Sequence, residues 1–313
     1  MIRIEGLIAA PFTPFDASGE VNIAMVDHLQ RFYKNNGIAG VFICGTTGES
    51  SALTLEEKKR LFEEWSKYKA DDFKVIGFLG GTSAKECREL ARTADNYGLD
   101  AISITAPYYF KPTGVAELAA FCAEVASASG LPFFYYHIPV FTGAYFNMYD
   151  LLELVDGKIP SFAGIKFTFE NFMDFQRCLE YKNRKYNMLW GRDEMLLPAL
   201  VVGATGAVGS TYNYTAPLNL QIMDSFRRLD IEKARRLQLK ACEYITFLYR
   251  YGASTGKAFM KAVGMDCGDY RLPVCNLDRQ QMQQFLTELK ETDFFEYCSN
   301  IPLLLSDSLA ERG

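Results

Sequence analysis

The feature that most constrains the fold of this chain is a regular alternation of short apolar runs with longer amphipathic segments. Eight apolar runs are typical of buried strands, and they span Leu7–Ala10, Gly40–Cys44, Val75–Leu79, Ala101–Thr105, Phe133–Tyr136, Ala163–Phe167, Met188–Trp190 and Ala207–Val208. Helical spacing of apolar residues follows each run, over Ile23–Asn36, Leu55–Lys69, Ala84–Tyr97, Val115–Ser129, Met148–Val155, Asn171–Tyr181, Glu194–Val201 and Leu218–Leu229. Strands that alternate with helices predict parallel βαβ units.

The number of these units favours one α/β architecture. Eight units within about 230 residues predict a (β/α)8 TIM barrel, and periodicity alone leaves a doubly wound open sheet as the alternative. After Leu229 the pattern changes to helices without strands, over Ile231–Tyr251, Lys257–Val263 and Leu277–Thr292. We therefore expect residues 1–229 to form the barrel with the active site, and residues 230–313 to form a C-terminal helical extension packed on it.

Composition and charge exclude several classes of function. A net charge of −5 gives no basic surface for nucleic acid, and no apolar stretch approaches the length that crosses a membrane. The eight cysteines form no CxxC pair, which predicts reduced thiols in a cytoplasmic protein. With only two histidines, His28 and His137, a histidine-rich metal site is excluded.

Lys166 is the strongest single indicator of chemistry. It lies in the apolar run Phe162–Thr168, where burial disfavours the charged form and leaves a neutral amine. Such an amine can form a Schiff base with a carbonyl substrate. The preceding strand carries Tyr136, a candidate proton shuttle, and the two together suggest a class I aldolase. The alternative is a lysine whose stem is buried while its head reaches water.

Further candidates follow from the rule that barrel active sites lie at the carboxyl ends of the strands. After strand two, Thr46 and Thr47 stand in Gly45-Thr46-Thr47-Gly48, whose hydroxyls and amides can bind a carboxylate; the alternative is a β-turn before a threonine-capped helix. The other strand ends supply the remaining candidates for binding substrate: Tyr109, Gly191, Asp193, Glu194, Gly209 and Ser210. Asp193 and Glu194 could instead simply begin a helix.

Two further features of the sequence receive a structural interpretation. Tyr136 and His137 are adjacent on one strand and therefore point to opposite faces. We expect Tyr136 to share the barrel interior with Phe134, and His137 to face the helices as a hydrogen-bonded structural residue. The glycines of the segment 203–209 do not have the spacing of a dinucleotide loop, so we expect small residues at a close approach.

Taken together, the motifs GTTGES, PYY, YYHIP, GIKFT and GATGAVGSTYN resemble the pyruvate-dependent class I aldolases typified by dihydrodipicolinate synthase and N-acetylneuraminate lyase. The resemblance covers roughly residues 5 to 300. It implies a TIM barrel with a helical extension, a homotetramer, and no metal or organic cofactor. It also implies that Lys166 forms the imine with pyruvate, that Tyr136 relays protons, and that Thr46 and Thr47 hold the pyruvate carboxylate.

Within that family, the residues at the substrate end resemble the sialic acid lyases. Synthases usually place an arginine where Phe141 stands, and the lyases usually place a leucine there. We therefore expect Phe141 to narrow the mouth of the pocket. Thr168, Gly191, Asp193, Glu194 and Ser210 match lyase positions that bind the sugar hydroxyls.

The resemblance thus implies reversible cleavage of N-acetylneuraminate to N-acetylmannosamine and pyruvate. The substrates would be small molecules only, sialic acid and pyruvate, with no nucleic acid and no membrane as partner. The alternatives are a dihydrodipicolinate synthase, an aldolase for another 2-keto-3-deoxy sugar acid, and a catalytically silent barrel that binds a pyruvate-like ligand.

Overall fold

The computed structural model describes residues 2–300 and shows a closed barrel of eight parallel strands in sequential order, β1 to β8. The strands are β1 Gly6–Ala9, β2 Gly40–Ile43, β3 Lys74–Gly80, β4 Ala101–Thr105, β5 Phe133–His137, β6 Phe162–Phe167, β7 Asn187–Trp190 and β8 Gly206–Gly209. β1 pairs with β8, so the sheet has no free edge. The predicted TIM barrel is confirmed, and the open sheet is excluded.

Helices surround the barrel and continue beyond it. They are α1 Met25–Asn35, α2 Leu55–Ser66, α3 Ala84–Asn96, α4 Val115–Ala126, α5 Pro139–Thr142, α6 Met148–Val155, α7 Phe172–Leu179, α8 Leu196–Val201, α9 Tyr212–Arg227, α10 Ile231–Tyr251, α11 Thr255–Ala262, α12 Arg279–Lys290 and α13 Phe294–Tyr297. Local signals explain several ends: Thr54 and Glu57 form a reciprocal capping box on α2. Gly37 and Gly98 follow α1 and α3 with positive φ.

Three helical features differ from the sequence prediction. The short helices α5 and α13 contain four residues each, too few to give a periodic pattern. Helix α9 begins at Tyr212 instead of Leu218, because its first turns are buried and polar, and a kink at Thr215 precedes Pro217. A 3₁₀ turn, Asp193–Met195, stands where α8 was expected to begin.

The apolar core has two layers, one inside the barrel and one between the strands and the helices. Tyr136 and Phe134 lie in the inner cluster, as expected. His137 faces outward against Phe167 and Phe169, which confirms its orientation. The expected hydrogen bond is wrong, because neither ring nitrogen has a partner among residues 2–300. Burial among aromatic rings lowers the pKa of His137 to about 3, so the ring is neutral.

The C-terminal helices pack on the barrel through α9, along which α10 runs. A separation into residues 1–229 and 230–313 stays a prediction, and residues 301–313 lie outside the described part. Among the described helices, none combines the length and the apolar character that crossing a bilayer requires.

Candidate active site

Lys166 is buried near the carboxyl end of β6, with only 4% of its surface exposed. Its Nζ lies 4.0 Å from the centroid of the Tyr136 ring and 4.1 Å from that of Phe42. Burial lowers the pKa of Lys166 to about 7, against a smaller opposing effect from the Asp193 carboxylate. The amine does not reach solvent, so the interpretation as a surface-reaching lysine is excluded. Near neutral pH a large fraction of the amine is available as a nucleophile.

Tyr136 lies beside Lys166 on the neighbouring strand, because the two residues are register partners of β5 and β6. Burial raises the pKa of Tyr136 to about 12, which keeps the phenol protonated at neutral pH. Its Oη lies 3.4 Å from Thr46 Oγ1, a long contact that links the phenol to the turn after β2. The Thr105 hydroxyl donates to the backbone carbonyl of Tyr136 at 2.9 Å and fixes the strand there.

The hydroxyl turn, Gly45–Gly48, follows β2 and presents the two threonines at the same end of the barrel. Thr46 is exposed and Thr47 is half-buried. Neither threonine caps a helix: α2 is capped by Thr54, and the 3₁₀ turn Ser50–Ala52 begins after Glu49. The segment does form a turn, but neither threonine has the helix-capping role of the structural alternative. Their role in binding a ligand stays a prediction.

Asp193 lies buried beyond β7, where its carboxylate is held from one side only. Its Oδ2 accepts hydrogen bonds from the backbone N–H and the hydroxyl of Thr211, both at 2.7 Å. The pKa of Asp193 is raised to about 6 by burial, while the Thr211 hydrogen bonds and the cation of Lys166 oppose that rise. A Cβ at Gly209 would approach Asp193 Oδ1 to 2.1 Å, so only glycine fits beside this oxygen.

Thr168 and Gly191 form a second close pair at the ends of β6 and β7. The Thr168 hydroxyl is buried and has no hydrogen-bond partner among residues 2–300. A Cβ at Gly191 would lie 1.9 Å from that hydroxyl oxygen. The two predicted glycines, Gly191 and Gly209, thus make room for the polar groups of Thr168 and Asp193.

Glu194 and Ser210 lie next to these groups in sequence and at the same end of the barrel. The Glu194 carboxylate pairs with Arg192 Nη2 at 3.0 Å, and Arg192 also pairs with Glu170. Asp193 and Glu194 do precede a helix, yet neither side chain caps it. The backbone carbonyl of Ser210 accepts from Asn213 Nδ2 at 2.7 Å.

Tyr109 is the one candidate that the structure does not bring to this cluster. It is 81% exposed, and its ring packs edge to face on Phe110. The neighbouring Tyr108 instead lines a cavity of about 460 Å³. Thr46, Tyr136 and Phe141 line the same cavity, and Phe141 stands at its mouth with 65% of its surface exposed.

Three residues of the site were not singled out from the sequence: Phe42, Thr105 and Thr211. Phe42 could have been found from the alternation of β2, which turns its side chain inward. The other two act through contacts with Tyr136 and Asp193 that no local pattern reveals. Within residues 2–300 we find no group of three or more His, Cys, Asp or Glu side chains placed to hold a metal ion.

The sequence pattern of the dihydrodipicolinate synthetase family matches residues 3–292. The chain belongs to this family. Members with similar sequences include the N-acetylneuraminate lyase of Pongo abelii, 38% identical over 99% of this chain and 98% of the relative. N-acetylneuraminate lyase A of Xenopus laevis is 41% identical over 87% of this chain and 91% of the relative.

Solved structures of family members agree with this assignment. The N-acetylneuraminate lyase of Proteus mirabilis superposes with a TM-score of 0.90 at 34% identity, covering 94% of this chain and all of that one. The lyase of Aliivibrio salmonicida gives the same TM-score at 35% identity, covering 94% of this chain and 98% of that one. As a member of this family, the chain is an enzyme of the class I pyruvate aldolase type, a carbon–carbon lyase.

Proposed function

We propose that this protein cleaves N-acetylneuraminate reversibly to N-acetylmannosamine and pyruvate through an imine at Lys166. The observation that carries the proposal is the buried amine of Lys166, with its pKa near 7, placed against Tyr136 at the carboxyl end of the barrel. The similarity of this protein to N-acetylneuraminate lyases over nearly the whole chain supports the choice of substrate.

The reaction begins with attack of the neutral Lys166 amine on the C2 ketone of the open-chain sugar acid. Loss of the carbinol oxygen as water gives a protonated imine. Thr46 and Thr47 bind the adjacent carboxylate with hydroxyl and backbone N–H donors, which holds C2 near the amine. Uncharged donors suit this position, because a second cation beside Lys166 would repel the positively charged iminium and so disfavour its formation.

Cleavage of the C3–C4 bond then places the bonding electrons in the iminium and forms an enamine. The C4 hydroxyl must lose its proton as the aldehyde forms. Because the phenol of Tyr136 is protonated, it accepts this proton only while passing its own proton onward, and the contact with Thr46 provides a route. The 3.4 Å distance should shorten when the substrate is bound. Protonation of the enamine at C3 and hydrolysis of the imine release pyruvate.

The hydroxylated part of the sugar would lie across the ends of β6, β7 and β8. Two acceptors are directed there without a full set of partners, Asp193 Oδ1 and the Thr168 hydroxyl. Glu194 and Ser210 extend this polar wall, and Gly191 and Gly209 allow the close approach. Tyr109, the remaining predicted binding residue, is exposed and away from this wall, so within one copy of the chain it does not contact the sugar in this proposal. A site built from hydrogen-bonding groups discriminates strongly against ligands that leave those groups unpaired.

The proposal includes no metal and no organic cofactor, because the imine itself serves as the electron sink. We further propose a homotetramer in the cytoplasm. The exposed aromatic pair Tyr109 and Phe110 supports an interface between copies of the chain, since large exposed aromatic side chains mark contact surfaces. The eight cysteines are unpaired, in keeping with a reducing compartment. Sedimentation of the wild type beside a Tyr109→Ser/Phe110→Ser variant tests the assembly.

The function is tested by comparing two reactions of the purified protein. One is cleavage of N-acetylneuraminate, followed by release of pyruvate; the other is condensation of pyruvate with aspartate semialdehyde. We expect the first to proceed efficiently and the second to be slow, because Phe141 cannot bind a second carboxylate as an arginine does. Efficient condensation without cleavage would contradict the proposed substrate. Borohydride reduction with pyruvate should leave an adduct on Lys166, and its absence would contradict the aldolase chemistry itself.

A further inference from the structure

A buried ion pair connects the C-terminal helices to the end of the hydroxyl turn. Lys257, on α11, places Nζ 2.9 Å from Glu49 Oε1, and the two side chains are only 4% and 7% exposed. Lys257 Nζ also donates to the carbonyl of Asp269 at 2.9 Å. The ammonium stands over the rings of Phe15 and Tyr270, at 4.4 and 4.7 Å from their centroids. Each charge is thus enclosed by protein.

The second carboxylate oxygen of Glu49 is also held by the part of the chain that follows the barrel. Glu49 Oε2 accepts from the backbone N–H of Arg271 at 2.9 Å. The Arg271 guanidinium in turn pairs with Glu57 and donates to the carbonyl of Ala52 at 2.9 Å. The segment that leads out of the hydroxyl turn is therefore held at Glu49, Ala52 and Glu57 by residues that follow the barrel.

The hydroxyl turn needs such support because its backbone is strained at both ends. Cys44, just before Gly45, has φ of +56°, and Glu49, just after Gly48, has φ of +58°. Non-glycine residues in this region are strained and persist only where the surroundings hold them. At the Glu49 end the Gly48 carbonyl accepts from the Thr13 hydroxyl at 2.6 Å, and the backbone N–H of Glu49 donates to the Thr46 carbonyl at 3.1 Å. The Glu49 side chain adds the contacts that tie this end to the C-terminal helices.

We propose that Glu49 and Lys257 are positioning residues that hold the hydroxyl turn in the geometry that binds the substrate carboxylate. A buried ion pair is a poor source of stability, since desolvation offsets most of its attraction. What it does provide is a fixed geometry, here for the backbone that carries Thr46 and Thr47. The inference rests on the proposed function, and it makes the C-terminal extension a working part of the active site.

The test compares Glu49→Gln/Lys257→Met with wild type, because the double variant leaves no uncompensated buried charge. The readout is the pyruvate concentration that gives half-maximal borohydride trapping at Lys166, together with KM and kcat for cleavage. We expect this concentration and KM to rise at least tenfold, since small displacements of a positioning group are costly. The maximal extent of trapping should stay unchanged, because Lys166 itself is intact.

Two further variants separate positioning from general stability. Lys240→Met removes ion pairs to Glu243 and Asp293 within the same extension, and should leave the pyruvate dependence at its wild-type value. Glu49→Asp keeps the charge and shortens the reach, so it preserves folding and should still weaken trapping at low pyruvate. A folded Glu49→Asp or double variant with the wild-type pyruvate dependence would overturn the inference. Wild-type protein that forms no adduct would instead refute the proposed function.

Discussion

Replacing Lys166 with methionine should abolish catalysis and at the same time stabilise the fold. Methionine has nearly the same length and apolar stem as lysine, but it carries no ionisable group. The folded protein holds the pKa of Lys166 near 7, whereas the ordinary value is 10.5. Over that interval each pH unit corresponds to about 1.4 kcal/mol, so burying this lysine costs at most about 5 kcal/mol. The variant also loses the contacts of the ammonium with two aromatic rings, which lowers the expected gain in stability by about 1–2 kcal/mol.

The net gain in unfolding free energy should therefore be about 3 kcal/mol near neutral pH, and it should depend on pH with a defined sign. A lysine whose folded pKa is depressed destabilises the fold fully below that pKa, and the effect vanishes above the pKa of the unfolded chain. The advantage of Lys166→Met should therefore shrink by about 2–3 kcal/mol between pH 6 and pH 9. Urea unfolding at matched protein concentration, at pH 6, 7.5 and 9, measures this difference.

A matched control is Lys158→Met, which removes an exposed lysine from the surface. It should leave both the stability difference and its pH dependence close to zero. If Lys166→Met were less stable than wild type at every pH, or if its advantage did not change with pH, the argument that burial depresses the pKa of Lys166 would be refuted.

Three other predictions test the same geometry. Tyr136→Phe should lower turnover by roughly 10²–10⁴-fold and leave folding intact. The control Tyr135→Phe removes a buried hydroxyl that has no partner within residues 2–300, and it should keep normal turnover. If both variants lost turnover to the same extent, the proton relay through Tyr136 would be refuted. The rate of pyruvate trapping should rise with pH through a single ionisation near 7, because only the neutral Lys166 amine attacks, and a rise confined to pH above 9 would contradict this. Gly209→Ala should displace the Asp193 carboxylate and weaken sugar acid cleavage while sparing pyruvate trapping, and Gly130→Ala, whose Cβ would meet nothing nearer than 3.9 Å, serves as its control.

The fold was largely predictable from the sequence because each strand has a recognisable local pattern of apolar residues. A run of apolar residues defines a strand buried on both faces, and the predicted strands differ from those observed by at most one residue at either end. The order of alternating strands and helices then leaves few topologies, since parallel crossovers are right-handed and connections are short. The helix boundaries were less accurate where burial and not periodicity decides them, as at the polar, kinked start of α9.

The two side chains that we propose to react could also be predicted from the sequence, since Lys166 and Tyr136 each stand on an apolar strand. What the sequence could not supply is which residues hold them and their neighbours. Thr211 reaches Asp193 across 18 residues, and the amide of Arg271 reaches Glu49 across 222. Tyr136 meets Lys166 as its register partner on the neighbouring strand, whereas Phe42, on β2, meets Lys166 only because the barrel closes.

Local pattern thus determined the strands, most of the helices and the candidates for the reactive groups, because each depends on a residue and its near neighbours. The tertiary structure decided the pKa values, the free oxygen of Asp193 and the support of the hydroxyl turn. These depend on burial and on charges brought together from distant parts of the chain, and short-range periodicity carries no record of such contacts.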